Sequence, residues 1–325
     1  MQTETVESGK REGARPGVSL DGLFAAAGWL ALSLGLVSVV GRRVWPIELV
    51  THFWPQLAVT LICSGCVAVF SRAWTRSVVH GAGALVLVVL IAPIFALGRS
   101  SEAATSELVA MFANVERANT EFDLLVETIR TEAPDIVALA EVDDGWLEAL
   151  EVVRHDYPYQ LSFPRDDNFG IALLSRVPLS EGTVEFVGPA RLPSIFATLE
   201  GDAGPWRIVV THPLPPFNAF AFDRRNEQLA ALSNRLAGVD THVVLLGDLN
   251  ATLWSPYLTE FLENSGLESA SSGLRALYTW PAGMPLLALG LDHCLYSPSA
   301  QSVDFRVLNS VGSDHFPILC AIGGS

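Results

Sequence analysis

Polar residues able to hold a metal and act on a phosphate recur in the C-terminal two thirds of the chain, each at the end of an apolar run. Carboxylate and amide oxygens are hard ligands that suit Mg²⁺ or Mn²⁺, and an imidazole can stabilise or protonate developing charge. If the ends of the apolar runs meet at one rim, we expect metal-dependent cleavage of a phosphoester there. The residues are Asn114, Glu141, His212, Asp248, Asn250, Asp292, Asp314 and His315.

Each of these residues also has a purely structural interpretation. Asp248-Leu249-Asn250 after an apolar run is typical of a turn or a helix cap. Asp314-His315 could be a capped turn with a surface histidine, and Glu141 could be a solvated strand end. Glu116, two residues after Asn114, could support a metal site or be solvated. The whole set in one chain favours a site over these separate interpretations.

The elements that must position these residues are strands interspersed with a few helices. Near-continuous apolar runs indicate strands buried on both faces, and apolar residues at helical spacing indicate amphipathic helices. Many strands with few helices predict packed sheets with helices outside. Strands are predicted at Leu108–Val115, Asp135–Val142, Gly170–Leu174, Ile195–Leu199, Arg207–Thr211, Val243–Leu246, Leu291–Tyr296 and Phe316–Ala321, and helices at Phe122–Ile129, Asp223–Leu236 and Pro256–Asn264.

The first 100 residues contain three apolar runs without charged side chains, in a chain that is 50% hydrophobic. The runs are Leu23–Val40, Phe53–Phe70 and Val78–Leu97, each close to the roughly 17–25 residues that cross a bilayer as a helix. The first could also be a cleaved signal peptide, but it lacks a small-residue cleavage pattern. We predict a tail at 1–18, three membrane spans within 19–98, a linker at 99–107 and a catalytic domain at 108–325.

The basic residues near the spans predict the orientation of the protein in a cell membrane. With the N-terminus in the cytoplasm, the inner side carries five basic residues and the outer side three. This excess favours a cytoplasmic N-terminus and an extracytoplasmic catalytic domain. The inner set is Lys10, Arg11, Arg15, Arg72 and Arg76, and the outer set is Arg42, Arg43 and Arg99.

Charge is distributed unevenly along the chain. Residues 100–325 carry 12 of the 20 Lys and Arg but 30 of the 35 Asp and Glu, a net charge of −18. Proteins that grip a nucleic-acid backbone normally present a basic face, because neutralising phosphates supplies most of their non-specific affinity. A polymeric nucleic acid is therefore an unlikely partner, and a small or lipid-linked phosphate reached through a bound cation fits better.

The four cysteines carry little functional signal. Cys63 and Cys66 lie in the second apolar run, where we interpret them as small residues of a packed helix. Cys294 and Cys320 lie in strand-like runs. We expect them to be buried thiols, and a disulfide is an alternative if the domain lies outside the cell.

Two apolar loops accompany the candidate site residues. The first apolar loop, residues 213–222, follows His212 and contains Phe217, Phe220 and Phe222. The second, residues 280–289, precedes Asp292. Either loop could be local core or a hydrophobic lid, or both could contact the membrane and receive a lipid tail.

The chain resembles the endonuclease/exonuclease/phosphatase superfamily, which includes pancreatic-type DNases, abasic-site endonucleases, neutral sphingomyelinases and inositol phosphatases. The resemblance covers Leu108–Ile322 and implies a DNase I-like four-layer α/β sandwich. With three spans ahead of the domain, the chain is similar to a bacterial membrane-bound subgroup of vancomycin/teicoplanin-resistance type. The superfamily resemblance rests on the order Asn114, Glu141, His212, Gly247-Asp248-Leu249-Asn250, Leu291-Asp292 and Ser313-Asp314-His315, together with Pro134-Asp135-Ile136-Val137 and Gly170–Arg176.

The resemblance also implies a role for each residue. Glu141 would hold the Mg²⁺ or Mn²⁺ ion, with Asn114 beside it and Asp314 as a further ligand. Asp248 would activate or orient the attacking water, and Asn250 would help to position the phosphate. His212 and His315 would stabilise the transition state, with Asp314 orienting His315, and Asp292 would assist at the metal or the leaving group. The basic, aromatic DNA-gripping loops of the nuclease members are not evident.

These observations favour hydrolysis of a lipid-linked phosphate or pyrophosphate of polyprenyl type at the outer membrane face, with a possible link to glycopeptide resistance. One alternative is an extracytoplasmic nuclease or nucleotide phosphodiesterase. Another is a non-catalytic domain that binds a phospholipid, against which the intact set of catalytic residue types argues.

Overall fold

The structure is a computed structural model that describes residues 19–95, 106–201, 204–271 and 278–324. The predicted tail at 1–18 and positions 99–105 of the predicted linker lie outside the described residues, as does the end of the third apolar run.

The N-terminal part consists of apolar helices, as the three apolar runs predict. Helices α1 and α4 are long and apolar enough to cross a membrane. Helix α3 has 17 residues and does not reach the same length, because the chain turns at Ser71-Arg72 before α4 begins. By length and composition, two helices of the described residues are candidate spans, whereas the sequence predicted three. The helices are α1 (Leu20–Gly41), α2 (Ile47–Thr51), α3 (Trp54–Phe70) and α4 (Trp74–Ile91).

Small residues allow α1, α3 and α4 to pack closely. A Cβ atom on Gly28 would lie 2.4 Å from Ser64 Oγ, and that hydroxyl lies 3.0 Å from His80 Nδ1. Close approach through small residues is the usual way that apolar helices associate in a bilayer. Cys63 and Cys66 are free thiols exposed on the outside of the bundle, so the prediction that they pack within it is wrong.

The catalytic domain contains two six-stranded sheets. The first has the strand order β11-β12-β1-β2-β4-β3 and the second β5-β6-β7-β8-β10-β9. The strands are β1 (Leu108–Asn114), β2 (Ile136–Ala140), β3 (Tyr159–Phe163), β4 (Ile171–Ser175), β5 (Leu179–Val187), β6 (Leu192–Gly201), β7 (Gly204–Thr211), β8 (His242–Asp248), β9 (Glu268–Ser269), β10 (Asp292–Tyr296), β11 (Ala300–Val307) and β12 (Ile318–Gly324).

Four helices flank the sheets: α5 (Phe122–Glu132), α6 (Asp144–Leu150), α7 (Ala219–Leu236) and α8 (Pro256–Ser265). Helix α7 begins four residues before the predicted Asp223, because the Asn218 side chain accepts a hydrogen bond from Ala221 N and caps it there. Residues 219–222, predicted as part of the first apolar loop, therefore form its first turn.

The domain has four layers, which confirms the predicted α/β sandwich. A core between the sheets joins Phe112 and Leu173 of the first sheet to Ile208 and Leu246 of the second. Helices α5 and α6 cover the outer face of the first sheet, and α7 and α8 cover that of the second. The cluster under α7 and α8 continues into the N-terminal helices through Trp54. The N-terminal helices are therefore packed against the catalytic domain.

A disulfide between Cys294 in β10 and Cys320 in β12 joins the two sheets through the central core. The expectation of two buried thiols is therefore wrong, because the packing of the sheets brings two cysteines from distant parts of the sequence into bonding distance.

Removing this disulfide is expected to destabilise the domain. The bridge closes a sequence separation of 26 residues, and a cross-link of that size stabilises a protein by about 2–4 kcal/mol. The double variant Cys294→Ala/Cys320→Ala should lower the thermal unfolding midpoint by about 5–15 °C, as should reduction of the wild type. Cys63→Ala/Cys66→Ala is the matched control and should not change the midpoint. Equal midpoints for oxidised and reduced wild type would contradict the prediction.

Candidate active site

The strand pairing brings the candidate residues to one rim of the sandwich. Strands β1 and β2 are parallel, so Asn114 and Glu141 emerge at the same end. Strand β12 runs antiparallel to β1, which places the residues before it beside Asn114. In the second sheet β7 and β8 are parallel, and Asp292 at the start of β10 pairs directly with Asp248 at the end of β8. The rim is therefore a consequence of topology.

Asp248 lies at the centre of this rim. Its carboxylate is buried and accepts hydrogen bonds from Asn114 Nδ2 at 3.2 Å and from the backbone N–H of Asn250 at 3.0 Å. The preceding Gly247 is required by close packing, since a Cβ there would lie 2.2 Å from the Thr211 carbonyl oxygen. Glycine thus lets β8 approach β7 directly behind the carboxylate.

His315 is held by Asp292. The His315 Nδ1 atom lies 2.9 Å from Asp292 Oδ2, and Nε2 lies 3.7 Å from Asp248 Oδ2. Asp314 was predicted to orient His315, but its nearest carboxylate oxygen lies 4.0 Å from His315 Nε2. Asp292 therefore supplies the nearer carboxylate to His315, and the predicted role of Asp292 at the metal or the leaving group stays a prediction.

Asp314 lies at the edge of the rim, with a side chain that is about half exposed. Its Oδ2 atom accepts a hydrogen bond from Trp280 Nε1 at 2.8 Å, and its backbone N–H donates to Glu116 Oε2 at 2.9 Å. Glu116 thus supports the Asp314 loop through the backbone of Asp314.

Glu141 and His212 form a second acid–imidazole contact. His212 Nε2 lies 3.7 Å from Glu141 Oε1, and Nδ1 lies 3.2 Å from the Asp248 carbonyl oxygen. Glu141 has a φ of 63°, a left-handed conformation that costs a non-glycine residue about 1–3 kcal/mol and is concentrated at functional sites. Backbone strain is therefore used to aim this carboxylate into the rim.

Asn114 connects the two carboxylates. Its Nδ2 atom donates to Glu141 Oε1 at 3.0 Å as well as to Asp248, while its Oδ1 atom accepts from the backbone N–H of Glu116 at 3.0 Å. Because the amide oxygen is engaged by the backbone, Asn114 is placed as a donor to the carboxylates. The amide oxygen has a second lone pair, and the prediction that Asn114 is also a metal ligand stays a prediction.

Asn250 follows Asp248 in a left-handed conformation, with a φ of 51°. Its Nδ2 atom donates to the Pro213 carbonyl oxygen at 3.1 Å. The amide keeps a second hydrogen and its oxygen for other partners, which is compatible with the predicted role in positioning a phosphate.

The charges of the rim shift its pKa values strongly. Burial disfavours the imidazolium form of His315, but the negative charges of Asp292 and Asp248 outweigh it and raise the pKa of His315 to about 10. Burial likewise opposes protonation of His212, whereas contacts with Glu141 and Asp248 raise its pKa. Burial raises the pKa of Asp248, against the effect of the two histidines. Both imidazoles are thus held beside carboxylates that favour their positively charged form, which suits an anionic substrate.

The rim also offers a donor set for a divalent cation. Carboxylate oxygens of Asp248 and Asp292 lie within 4.8 Å of one another beside His315, and the Asp292 Oδ1 atom is buried without a hydrogen-bond partner. Glu141, across Asn114, adds a further carboxylate. Oxygen-rich sets of this kind fit Mg²⁺ or Mn²⁺. They overlap only in part with the predicted ligands Asn114, Glu141 and Asp314.

Comparison with known proteins decides the family. The endonuclease/exonuclease/phosphatase family matches residues 111–315, which include all eight candidate residues. The chain belongs to this family. Members of the endonuclease/exonuclease/phosphatase family are generally metal-dependent phosphodiesterases, phosphatases or nucleases.

Solved structures of the family share the fold. An endonuclease/exonuclease/phosphatase from Beutenbergia cavernae is 22% identical, with a TM-score of 0.56 over 68% of this chain and 72% of that one. The human Nocturnin catalytic domain with bound sulfate is 22% identical (TM-score 0.56; 69% of this chain, 96% of that one). A humanized D. rerio TDP2 is 17% identical (TM-score 0.56; 67% and 100%). A search of curated proteins finds no match to this chain.

Several residues that support the site were not predicted from sequence. The Thr279 hydroxyl oxygen accepts hydrogen bonds from the backbone N–H groups of Leu291 and Asp292, and Trp280 holds Asp314 as described. Arg225, buried in α7, donates to the carbonyl oxygen of Asn250 at 2.7 Å. The sequence pattern does indicate Arg225, because this arginine falls on the apolar face of its helix.

Proposed function

We propose that this chain is a membrane-anchored, divalent-metal-dependent phosphoesterase that hydrolyses a lipid-linked phosphate or pyrophosphate, of polyprenyl type, at the outer face of the membrane. The metal-dependent phosphoester chemistry follows from the family and the rim. The lipid-linked substrate is the finer part of the proposal, and so is the link to glycopeptide resistance that the subgroup resemblance suggests.

The observation that carries the proposal is the position of the two apolar loops. Each begins beside a site residue, the first after His212 and the second at Trp280, whose ring centroid lies 6.3 Å from that of His315. Each is also hydrogen-bonded to the N-terminal helical region: Trp45 Nε1 donates to Pro216 O at 3.1 Å, and Gln56 Nε2 donates to Ala288 O at 2.8 Å. The loops therefore lead from the active site to the helices that we assign to the membrane.

The exposed surface of these loops is apolar. Phe217 is 80% exposed and Leu286 is 85% exposed, and Phe220, Met284 and Leu287 add to the same surface. Apolar side chains left in contact with solvent beside a membrane anchor are typical of an interfacial surface. A lipid whose tail stays in the bilayer could thus bring its phosphate to the rim.

The rim residues can then act on that phosphate. Asp248 is placed to accept a hydrogen bond from the attacking water and orient it for in-line attack. His315, positively charged and held by Asp292, donates a hydrogen bond to the phosphoryl oxygens as negative charge develops. His212, on the Glu141 side, stabilises the same negative charge on the phosphoryl oxygens. The amide oxygen and second amide hydrogen of Asn250 fix the orientation of the phosphate. A divalent cation held by the carboxylates would offset the charge of the phosphate oxygens.

The helical region supports a three-span anchor. The connecting segment, residues 42–53, contacts the catalytic domain, and α4 leads into that domain; both therefore lie on its side of the bilayer. Asp21 and Arg76, at the starts of α1 and α4, form an ion pair at the opposite end. Helix α3 runs between these two ends, and its 17 residues span about 25 Å. We therefore assign α3 as a third, short span.

Two observations support an extracytoplasmic domain. Arg72 and Arg76 lie at the end of the helices remote from the domain, on the side of the N-terminus, as the excess of basic residues in the cytoplasm requires. The Cys294–Cys320 disulfide fits an oxidising compartment, since disulfides persist mainly outside the cytoplasm.

A nuclease or nucleotide phosphodiesterase is the second candidate function. It is favoured by one similar structure, a D. rerio TDP2 complexed with a single-strand DNA product. The net charge of −18 for residues 100–325 argues against a polymeric substrate. A short nucleotide is compatible with the same rim.

A substrate panel tests the proposal. The full chain in nanodiscs is given polyprenyl pyrophosphate, phosphatidic acid, a dinucleotide, single-stranded DNA and bis(p-nitrophenyl) phosphate, with Mg²⁺, Mn²⁺ or EDTA. We expect metal-dependent turnover, with kcat/KM for the polyprenyl substrate at least tenfold above that for the dinucleotide. In intact spheroplasts, a membrane-impermeant phosphodiester should be cleaved in the external medium.

The alternatives predict different results. Turnover of the dinucleotide or DNA but not of either lipid would support the second candidate function and overturn the lipid proposal. Binding of phosphatidic acid without turnover of any substrate would indicate a non-catalytic, phospholipid-binding domain. Cleavage of the impermeant substrate only after lysis would overturn the orientation.

A further inference from the structure

A buried ion pair joins the connecting segment to the catalytic domain. Glu48 lies in α2, between α1 and α3, and its Oε1 atom is 3.2 Å from Arg225 NH2 in α7. Both side chains are completely buried. Buried charges are tolerated only when they are paired, and removing one partner of such a pair is strongly destabilising to the other. The catalytic domain thus contains a buried cation whose counter-charge comes from the membrane region.

Glu48 is held from both the catalytic domain and the connecting segment. Its Oε1 atom also accepts a hydrogen bond from Ser255 Oγ at 2.6 Å, and its Oε2 atom lies 3.3 Å from Nε2 of His52, the residue that follows α2. Burial would favour the neutral acid, but His52, Arg225 and Ser255 outweigh it and lower the pKa of Glu48 to about 2. Glu48 is therefore ionised throughout the physiological range.

Arg225 transmits this contact to the active site. Its NH1 atom donates to the Asn250 carbonyl oxygen at 2.7 Å. Asn250 is the residue with left-handed backbone that follows Asp248, and its own N–H donates to Asp248 Oδ1. Glu48, Arg225, Asn250 and Asp248 thus form a continuous chain of contacts from the membrane region to the centre of the rim.

The connecting segment also contacts other residues of the loop that contains Asn250. The catalytic loop, residues 249–255, forms three further hydrogen bonds with the connecting segment. Trp254 Nε1 donates to Thr51 O at 2.6 Å. His52 Nδ1 lies 2.9 Å from Thr252 Oγ1 and accepts from Thr252 N at 3.4 Å. The connecting segment therefore holds Thr252, Trp254 and Ser255 directly and the Asn250 end of the loop through Arg225.

We propose that Glu48 is a positioning residue for the phosphoesterase reaction: by pairing with Arg225 it fixes the catalytic loop, so that the active site is complete only when the catalytic domain is docked on its membrane helices. The inference rests on the proposed hydrolytic function. The inference gives the membrane anchor a second role, because the connecting segment then also shapes the catalytic centre.

Two variants of the full chain in nanodiscs test the inference. Glu48→Gln removes the charge that pairs with Arg225 but retains an oxygen for Ser255. Arg225→Lys retains a charge for Glu48 but lacks the planar fork that reaches both Glu48 and the Asn250 carbonyl. Arg43→Gln is the matched control, because the Arg43–Glu260 ion pair joins the same segments at 2.7 Å but is exposed on both sides.

Kinetics and hydrogen exchange are measured for each protein, with bis(p-nitrophenyl) phosphate and Mn²⁺ as the probe. We expect Glu48→Gln and Arg225→Lys to lower kcat about tenfold or more with KM within twofold, since small displacements of catalytic groups cost rate more than binding. Amide exchange of peptides covering 247–255 should rise, while exchange in β2 stays unchanged. Arg43→Gln should match the wild type in both measurements.

The outcomes separate the inference from the proposed function. Wild-type kcat and wild-type exchange in both test variants would overturn the inference. If Glu48→Gln does not fold, Arg225→Lys decides alone by the same criteria. A wild type without activity on any substrate would overturn the proposed function, and the exchange of 247–255 would then still test whether Glu48 orders the loop.

Discussion

Replacing Asp248 by Asn is expected to lower kcat for phosphoester hydrolysis by about 10²–10⁴-fold, the range for loss of a positioned acid or base. The amide has the same shape and can still accept the hydrogen bond from the Asn250 N–H, but it carries no charge to orient a water or to face His315 and His212. The measurement is steady-state hydrolysis of bis(p-nitrophenyl) phosphate with Mn²⁺. Asp240→Asn, at an exposed position before β8, is the matched control and should retain full activity.

The same substitution should leave the fold intact. Burial raises the pKa of Asp248 in the folded protein, so folding disfavours the ionised carboxylate relative to the unfolded chain. Asn removes this cost, although it also removes attraction to the two histidines. We therefore expect the unfolding midpoint to change by no more than about 4 °C, or roughly 1–2 kcal/mol. A much larger fall in the midpoint would mean that Asp248 stabilises the fold and that the loss of activity does not show a catalytic role.

The candidate site could be predicted because strand ends are visible in sequence. Asp248 follows a run that is apolar enough to be buried on both faces, and a lone carboxylate after such a run has no place in a core. Parallel pairing of β7 with β8 and of β1 with β2 then brings such ends together. The order of the motifs along the chain supplied the rest, and the match over residues 111–315 confirms the family that this order suggested.

The partnerships within the site could not be predicted in the same way. Asp314 is adjacent to His315 in sequence, yet the hydrogen bond at 2.9 Å comes from Asp292. Asp314 and His315 lie in a bend before β12, and their side chains have different partners there. The Asp292–His315 pair depends on how the two sheets pack, as the Cys294–Cys320 disulfide does.

The contact between the membrane region and the catalytic domain also could not be predicted from the periodicity of the sequence. The segment between the first two apolar runs contains Glu48 and His52, and no pattern in the sequence indicates that they are buried. Their burial follows only from the complementary Arg225, more than 170 residues later in the chain. A buried arginine on the apolar face of α7 was the one local indication that a charge from elsewhere had to meet it.

The largest effect on substrate selection is expected from the exposed aromatic residues of the first apolar loop. Phe217 and Phe220 are 80% and 67% exposed, beside the contact of Trp45 with Pro216. Phe222, the third phenylalanine predicted to act with them, is buried edge-on against Tyr257 and belongs to the core. The double variant Phe217→Ser/Phe220→Ser therefore removes the apolar surface without disturbing packing.

This variant should lose kcat/KM for polyprenyl pyrophosphate by about 10²-fold, since burying a phenylalanine side chain contributes about 1.5–3 kcal/mol and 1.4 kcal/mol corresponds to a factor of ten. Hydrolysis of bis(p-nitrophenyl) phosphate should stay within twofold of the wild type, because the rim itself is unchanged. Phe186→Ser, which removes a half-exposed phenylalanine from the edge strand β5, is the matched control. Equal losses on the lipid and the soluble ester would mean that the loop supports the rim and does not receive a lipid.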